Sequence, residues 1–270
     1  MLSRFLTGRR SFEPECIASQ LYNPVRASCG YSMDYEDPKI AAIYEVANPI
    51  AEDFEFYLSL AGQQSCSVLD LGCGTGTLCC ALAEHGHPVI GVEPSVAMLA
   101  VARSKPFAQR VEWVESSAQM YRSQRRFDLI VMTGHAFQVF LTDAEALAAL
   151  ETMRRHLTDH GRIAFESRNP QMDWVGKWNA KSRMLSGGQI SETLTITNVG
   201  EEFISFQTLY RTPDEILTTS STLRFPSREQ IEALIVCSGL AVRDVFGDWN
   251  ASPFDPTRSP EMIFIVEAAR

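Results

Sequence analysis

The sequence predicts an α/β protein built on a doubly wound, mostly parallel sheet of seven strands. Between residues 66 and 168, five short β-rich runs alternate with helical patterns. This alternation implies right-handed βαβ crossovers that place helices on both faces of the sheet. A glycine-rich segment directly follows the first run. Two more β-rich runs, 241–247 and 261–269, fit a sheet edge where one strand runs antiparallel.

The core strands and helices follow from apolar periodicity and turn signals. The five strands are "CSVLDL", "PVIGVE", "RVEWVE", "RFDLIVMT" and "RIAFES" (66–71, 88–93, 110–115, 126–133 and 162–167). Helical patterns occupy 77–86, 95–105 and 143–161, and the last ends at a glycine stop, "DHG", before the fifth strand. The carboxyl ends of these strands should therefore form one rim, where doubly wound proteins bind their ligands.

The segments on either side of this core have different patterns. An amphipathic helical stretch starts at Asp37-Pro38 and runs to residue 62. Residues 189–225 alternate with period two, and the turns "NVGEE" and "RTPDE" separate three antiparallel strands. We therefore divide the chain into an N-terminal arm and helical lid (1–62), a core (63–168), an antiparallel β insert after the fifth strand (169–226), and a last helix and strands that complete the sheet (227–270).

Composition excludes several classes of protein. The chain has 24 Lys and Arg against 33 Asp and Glu, a net charge of -9, and such an acidic surface disfavours nucleic acid as the main partner. No apolar run approaches the ~20 residues that cross a bilayer, which predicts no membrane association. The seven cysteines form neither a disulfide framework nor a zinc pattern. We expect a cytoplasmic protein with reduced thiols and no bound metal.

The segment "VLDLGCGTG" (68–76) indicates what the rim binds. A dinucleotide fingerprint reads G-x-G-x-x-G, because the following helix receives a pyrophosphate. Here the spacing is G-x-G-x-G, and Asp70 stands two residues before the first glycine. A carboxylate at this place repels a diphosphate and attracts a cation, and Glu93 at the end of the second strand is suited to accept hydrogen bonds from ribose hydroxyls. The expected ligand carries adenosine, a positive charge and no phosphate, and S-adenosylmethionine (SAM) meets all three conditions.

These motifs resemble those of class I SAM-dependent methyltransferases, a Rossmann-like family. "VLDLGCGTG", "GVEPSVAML" and "RFDLIVMTGHAFQ" are similar to its first, second and post-strand-four motifs, and the resemblance covers about residues 66–168. It implies that Asp70 serves the methionine amine and that Glu93 holds the ribose. Ser117-Ala118 stands where the family often has Asp-Ala. The other cofactor contacts implied or expected at the rim and lid are Gly72, Cys73, Gly74, Gly76, Pro94, Met98, Thr133, Gly134 and Tyr44.

The acceptor side of the site is less specific in the sequence. Methyl transfer is an in-line displacement in which alignment supplies most of the acceleration, so a general base is optional. Family members that modify amino groups of nucleic acids or proteins often carry Asn/Asp-Pro-Pro-Tyr/Phe after strand four, and this chain has "TGHAFQ" there. Together with the acidic surface, this favours a small-molecule acceptor methylated on an oxygen, nitrogen or carbon atom.

Three residues are candidates for catalysis. His135, the histidine on the rim, is either a base or acceptor-orienting group or a backbone-capping loop residue. Arg168, after strand five, pairs either with an acceptor carboxylate or phosphate or with a structural partner. Tyr35 belongs with Tyr31 and Tyr44 to the segment that is expected to fold over the cofactor as a lid. The other four histidines precede strands at the opposite end of the sheet and should have surface or loop roles.

Some alternatives stay open. Trp174 and Trp178, four residues apart, either line an aromatic wall or pack in the core. The insert forms either a second wall of the acceptor pocket or the surface of a homodimer. A tRNA or protein methyltransferase of the same fold would need a basic groove, and a non-catalytic SAM-binding protein would release no S-adenosylhomocysteine. Asp70 argues against a dehydrogenase.

Overall fold

The computed structural model describes residues 33–49, 51–179, 181–185 and 188–270. Within them, eleven strands form two sheets and seven α-helices flank these sheets. The strands are β1 (Val68–Leu71), β2 (Val89–Glu93), β3 (Val111–Glu115), β4 (Phe127–Met132), β5 (Leu157–Arg168), β6 (Lys181–Met184), β7 (Ser191–Val199), β8 (Phe203–Arg211), β9 (Ile216–Arg224), β10 (Leu240–Phe246) and β11 (Glu261–Ala268). The helices are α1 (Pro38–Ala47), α2 (Glu52–Ala61), α3 (Thr77–Glu84), α4 (Val96–Arg103), α5 (Asp143–His156), α6 (Trp174–Trp178) and α7 (Arg228–Cys237).

The main sheet confirms the predicted doubly wound architecture. Its seven strands are ordered β10-β11-β5-β4-β1-β2-β3. Strands β1 to β5 are parallel, and β11 runs antiparallel to both β5 and β10. Helices α5 and α7 pack on one face of the sheet, and α2 and α3 pack on the other. The carboxyl ends of β1 to β5 therefore form the expected rim.

The N-terminal stretch folds as two helices rather than the single one predicted. The Asp37 side chain caps α1 by accepting a hydrogen bond from Lys39 N at 2.8 Å, and Pro38 occupies the first turn, as predicted. The helix then ends at Ala47, and α2 begins at Glu52. Pro49 explains the break, because it has no N–H to donate and its ring clashes with a preceding helical turn.

The prediction that "DHG" ends the helix before the fifth strand is wrong. Helix α5 ends at His156, and β5 begins at Leu157. The register between β4 and β5 shifts between Phe127 and Leu129, so residues 157–161 form an irregular start of the strand. Gly161 is required there because a Cβ would lie 2.8 Å from the carbonyl oxygen of Phe127.

The insert is a separate antiparallel sheet with four strands in the order β6-β7-β8-β9. The three predicted strands are β7, β8 and β9, and the predicted turns connect them. Strand β6 was not predicted, because "KSRM" is short and its residues are all exposed. Leu185, Tyr210 and Leu217 of the insert pack on Ile43 and Ala47 of α1, so the insert adjoins the lid.

Two histidines at the opposite end of the sheet have structural roles. His156 is fully buried, and its Nε2 accepts a hydrogen bond from Ser123 N at 3.0 Å. The Nδ1 atom of His87 accepts one from Cys66 N at 3.2 Å. Their places at the end of the sheet away from the rim agree with the prediction. His87 lies in a loop, as predicted, whereas His156 is the last residue of α5, and both are buried. Among the described helices, none is long and apolar enough to span a membrane.

Candidate active site

The glycine turn after β1 brings its backbone close to neighbouring elements. Gly72, Gly74 and Gly76 have φ angles of 81°, 54° and 73°, which favour glycine. The amides of Gly72 and Cys73 donate to the carbonyl oxygen of Val92 at 2.7 and 3.0 Å. A Cβ on Gly76 would collide with the Trp113 ring and lie 2.9 Å from the Cβ of Ala102. The three glycines are therefore needed for the shape of the turn.

Asp70 lies beneath this turn and is buried, with 1 % of its surface exposed. Its Oδ2 accepts a hydrogen bond from the Cys79 thiol at 3.3 Å. Among the residues that the structure describes, no donor reaches its Oδ1. Burial raises the pKa of Asp70 from 3.8 to about 7. An unsatisfied buried acceptor of this kind is costly, and the ammonium group of a bound amino acid would satisfy it.

Glu93, at the end of β2, connects the glycine turn to the following loop. Its Oε2 accepts a hydrogen bond from Gly74 N at 3.0 Å, and its Oε1 accepts one from Ser95 N at 2.9 Å. A carboxylate has about four acceptor sites, so these two bonds do not exhaust its capacity. The carboxylate is thus fixed at the rim, in a place that suits the hydroxyls of a ribose.

The remaining predicted residues near β2 and β3 also lie beyond the strand ends. Met98 is buried and packs with Ala97 and Ala41 where α4 meets α1. Ala118 is buried, and the Ser117 carbonyl accepts a hydrogen bond from Tyr121 N at 3.0 Å. Pro94 is half-buried directly after Glu93. These residues lie beyond the carboxyl ends of β2 and β3, where the sequence analysis expects cofactor contacts.

Helix α1 is joined to the glycine turn by a polar cluster that the sequence analysis missed. Glu45 accepts hydrogen bonds from Lys105 Nζ at 2.8 Å and from the Thr75 hydroxyl. Thr77 is also bonded to Lys105. Because Thr75 lies inside "GCGTG", this cluster fastens the predicted lid directly to the turn. The residues that bond to each other in this cluster are 28 to 60 positions apart in the chain, so no local pattern predicts it.

The lid tyrosines lie over the same rim. The rings of Tyr35 and Tyr44 meet edge to face with their centroids 5.7 Å apart. The Ser95 hydroxyl donates to the carbonyl oxygen of Tyr35 at 2.7 Å. The Tyr44 hydroxyl lies 3.9 Å from the position of a Cβ on Gly134, and burial raises the pKa of Tyr44. Tyr31 lies outside the described residues.

The loop after β4 presents His135 in a left-handed conformation, with φ 60°. Thr133 and Gly134 precede it, and Gly134 also has a positive φ of 68°. The Nε2 of His135 lies 2.9 Å from Oε2 of Glu261. Burial and the nearby Arg168 lower the pKa of His135 to about 4, and burial raises the pKa of Glu261 to about 7. Both shifts favour uncharged forms of this pair.

A second carboxylate holds the backbone of that loop. Glu166 is buried, with 1 % of its surface exposed, and it accepts hydrogen bonds from the His135 amide and from the Tyr57 hydroxyl. Burial raises the pKa of Glu166. Sequence reasoning missed both glutamates. Glu166 stands two residues before Arg168 and so shares its face of β5, whereas Glu261 reaches the rim because β11 is antiparallel and begins there.

Arg168 ends β5 beside this group. Its Nη1 donates to Oε1 of Gln138 at 3.0 Å, and its Cζ lies 4.9 Å from the ring centroid of Trp178 and 5.6 Å from that of Trp174. No carboxylate forms an ion pair with it within the part of the chain that the structure describes, although burial lowers the pKa of Arg168 and the charges of Glu261 and Glu166 oppose that shift. Both tryptophans also pack with Phe225 of the insert.

Comparisons with known proteins agree with this geometry. Residues 68–161 match a family described as a methyltransferase domain. The chain is 27 % identical over 204 residues to the cypemycin N-terminal methyltransferase of a Streptomyces species, covering 74 % of this chain and 82 % of that protein. The CcbJ methyltransferase of Streptomyces caelestis has the same fold, with a TM-score of 0.76, 20 % identity and coverage of 88 % of this chain and 98 % of CcbJ.

A third similarity is to a structure that contains the cofactor. CalS10 of Micromonospora echinaspora, an amino pentose methyltransferase solved with SAM bound, has a TM-score of 0.64 and 20 % identity, and the match covers 86 % of this chain and 97 % of CalS10. The fold, the glycine turn and these matches define a transferase that uses SAM. Residues 68–161 thus match a methyltransferase-domain family, and the described chain has the fold of SAM-dependent methyltransferases.

Proposed function

We propose that this enzyme transfers the methyl group of SAM to the nitrogen atom of an amine in a small-molecule acceptor. The observation that carries the proposal is the part-buried His135–Glu261 pair, whose Nε2 and Oε2 atoms lie 2.9 Å apart at the rim, with Glu166 bonded to the His135 amide. An amine reaches the site as an ammonium ion, which nearby carboxylates attract and which must lose a proton before its lone pair can attack. The names of two similar proteins, the cypemycin N-terminal methyltransferase and the amino pentose methyltransferase CalS10, support an amine as the acceptor group.

The basicity of the pair favours an amine over an alcohol. Glu261 has a pKa of about 7, and an α-ammonium group has one of about 8. The two pKa values differ by about one unit, so moving a proton from the ammonium group to the Glu261 carboxylate costs only about 1.4 kcal/mol. A hydroxyl has a pKa nearer that of water, roughly 16, so the same transfer would cost about 12 kcal/mol. The His135–Glu261 pair is therefore a suitable base for an ammonium group and a poor one for a hydroxyl group.

The cofactor is assigned to the rim residues as follows. When bound, SAM supplies the electrophilic sulfonium methyl group. Asp70 takes the amine through its unpartnered Oδ1, the glycine turn takes the methionine end through its backbone, and Glu93 accepts the ribose hydroxyls. Apolar surfaces of the lid and of the loops after β2, β3 and β4 hold the adenine and exclude water. These surfaces belong to Pro94, Met98, Ser117, Ala118, Thr133, Gly134, Tyr35 and Tyr44.

Two of the four parts of the chain have proposed roles beside the cofactor. The described residues of the first part act as the lid over the rim. Residues 169–226 act as the second wall of the acceptor pocket, because the sheet of the insert packs on α1 and its Trp174 and Trp178 lie against Arg168. We expect the enzyme to act in the cytoplasm. Residues Met184 and Ile216 on the outer strands β6 and β9 are exposed, and pairing there would give a homodimer, which analytical ultracentrifugation would detect.

Ionisation of Asp70 should make SAM binding depend on pH. Burial raises the pKa of this carboxyl to about 7, so the folded protein without SAM favours the protonated form. The resulting contribution to the free energy of unfolding is complete below about pH 4 and is lost as the pH rises through about 7. A bound ammonium favours the carboxylate instead. Calorimetry between about pH 5.5 and 7.5 should show SAM affinity rising in the wild type. In Asp70→Asn the SAM affinity should be weaker and should not change with pH. An equal pH dependence of SAM affinity in both proteins would contradict the assignment of Asp70 to the SAM amine.

An acceptor screen tests the proposed function. A library of matched amines and alcohols, including amino acids, short peptides with free N-termini and amino sugars, is incubated with enzyme and SAM, and release of S-adenosylhomocysteine is measured. We expect turnover of amines and none of the hydroxyl analogues. Turnover confined to alcohols, or stimulated only by tRNA or a folded protein, would overturn the proposal.

A further inference from the structure

We propose that Arg168 is a binding site for an anionic group of the acceptor, so that the substrate carries a carboxylate close to the amine that is methylated. This inference rests on the proposed function and specifies its substrate class. The carrying observation is a guanidinium that sits at the rim, packed against tryptophans, with a neutral amide as its hydrogen-bond acceptor among the described residues. A cation so placed has capacity for an anion that the described part of the chain does not supply.

The guanidinium is fixed by neutral groups on two sides. Gln138 is fully buried, and its Nε2 donates to the carbonyl oxygen of Arg224 at 2.7 Å. That bond determines which end of the amide faces Arg168, so Oε1 is held as the acceptor for Nη1. The two indole rings of Trp174 and Trp178 restrict the guanidinium further through cation–π contacts. The arrangement costs little reorganisation when a ligand binds.

The remaining donors suit a carboxylate. With Nη1 used by Gln138, the Nε and Nη2 atoms remain as an edge with two parallel N–H directions. That edge matches the two oxygens of a carboxylate in a bidentate pair, which a lysine ammonium cannot reproduce. Glu261, the nearest carboxylate across the strands, points its Oε2 at His135 instead. The guanidinium is thus left for a ligand.

The register of the sheet places this anion site beside the proton-accepting pair. Arg168 and Glu261 are directly opposite each other on β5 and β11, and they therefore lie on the same face. Side chains so paired have Cβ atoms about 5 Å apart. Burial raises the pKa of Glu166, which reduces its repulsion of a bound anion. An acceptor with an amine and a carboxylate a few bonds apart, as in an amino acid, fits both positions.

Matched acceptors and one substitution test the inference. For each amine that the library screen finds to be turned over, kcat/KM is compared between the carboxylate form and its neutral amide, in wild type and in Arg168→Gln. We expect the wild type to prefer the carboxylate by about 10–100-fold. In Arg168→Gln that ratio should fall to about 1, with SAM affinity measured by calorimetry unchanged within about twofold, and Arg168→Lys should recover only part of it.

Arg162→Gln serves as the control, because Arg162 lies on the same strand at the far end and donates to the carbonyl oxygen of Leu60 at 3.1 Å. It should keep the full preference for the carboxylate. Equal turnover of the two forms by the wild type, or a ratio that Arg168→Gln leaves intact, would overturn the inference while the proposed amine methylation stands. A screen in which no amine is turned over would overturn both.

Discussion

Replacement of Glu93 by alanine should weaken SAM binding by about 10²–10⁴-fold. Two ribose hydroxyls donating to a buried carboxylate contribute about 1.5–3 kcal/mol each, and the sum corresponds to that factor. Calorimetric titration of SAM into wild type and variant measures it. In Glu93→Gln the loss should be smaller, because the amide retains one oxygen that can accept.

The same substitution should also destabilise the protein. Glu93 accepts hydrogen bonds from the part-buried amide of Gly74 and the buried amide of Ser95, and its removal takes away both bonds, at a cost of up to about 1–3 kcal/mol each. Ser95→Ala separates the two effects, since it removes the α4 cap and the bond to Tyr35 but leaves the carboxylate in place. Its SAM affinity should stay within about threefold of wild type. Wild-type affinity in folded Glu93→Ala would show that the ribose is held elsewhere.

Removal of either member of the His135–Glu261 pair should lower kcat by about 10²-fold or more, because a positioned base contributes about 10²–10⁴-fold. Steady-state kinetics with an amine acceptor measures the loss in His135→Ala and in Glu261→Gln. SAM affinity should change little in either variant, since the carboxylates that we propose to hold the cofactor are Asp70 and Glu93. A large loss of SAM affinity with His135→Ala would instead place this residue at the adenine.

The pH dependence of kcat provides a second test of this pair. Glu261 has a pKa of about 7, so the fraction of enzyme able to accept a proton increases as the pH rises through that value. The wild-type rate should therefore rise between about pH 6 and 8 and then level off. Glu261→Gln should lose that rise. Tyr57→Phe, which removes one hydrogen bond to Glu166 but not the pair, should keep it. The same profile in Glu261→Gln and wild type would contradict the role of the pair.

The places of the proposed cofactor residues in the fold could be predicted from the sequence, because these residues follow strand ends and glycines that are adjacent in the chain. Asp70 and Glu93 stand within a few residues of the turn they serve, and both lie at the rim as expected. The fold class followed from the alternation of strands and helices, which seven strands confirm. At these strand ends and at the glycine turn, the sequence pattern alone is enough to predict the position of each residue.

The contacts of the proposed acceptor residues were predictable only in part, because they join segments that are distant in the chain. His135 and Arg168 were found from their places after β4 and β5. Glu261 lies 126 residues from His135, and its place depends on an antiparallel strand starting at the rim where the parallel strands end. Tyr57 lies 109 residues from Glu166 and reaches it from α2. The order and direction of the strands determine such pairs, and the pattern of a single segment does not predict them.

Methyl transfer to an amine nitrogen is tested most directly by following the methyl carbon itself. The wild-type enzyme is incubated with SAM carrying an isotope-labelled methyl group and with an amine acceptor that also has a free hydroxyl. The product is then examined by nuclear magnetic resonance. We predict that the label is bonded to nitrogen alone. A label on oxygen or on carbon would contradict the role assigned to the His135–Glu261 pair.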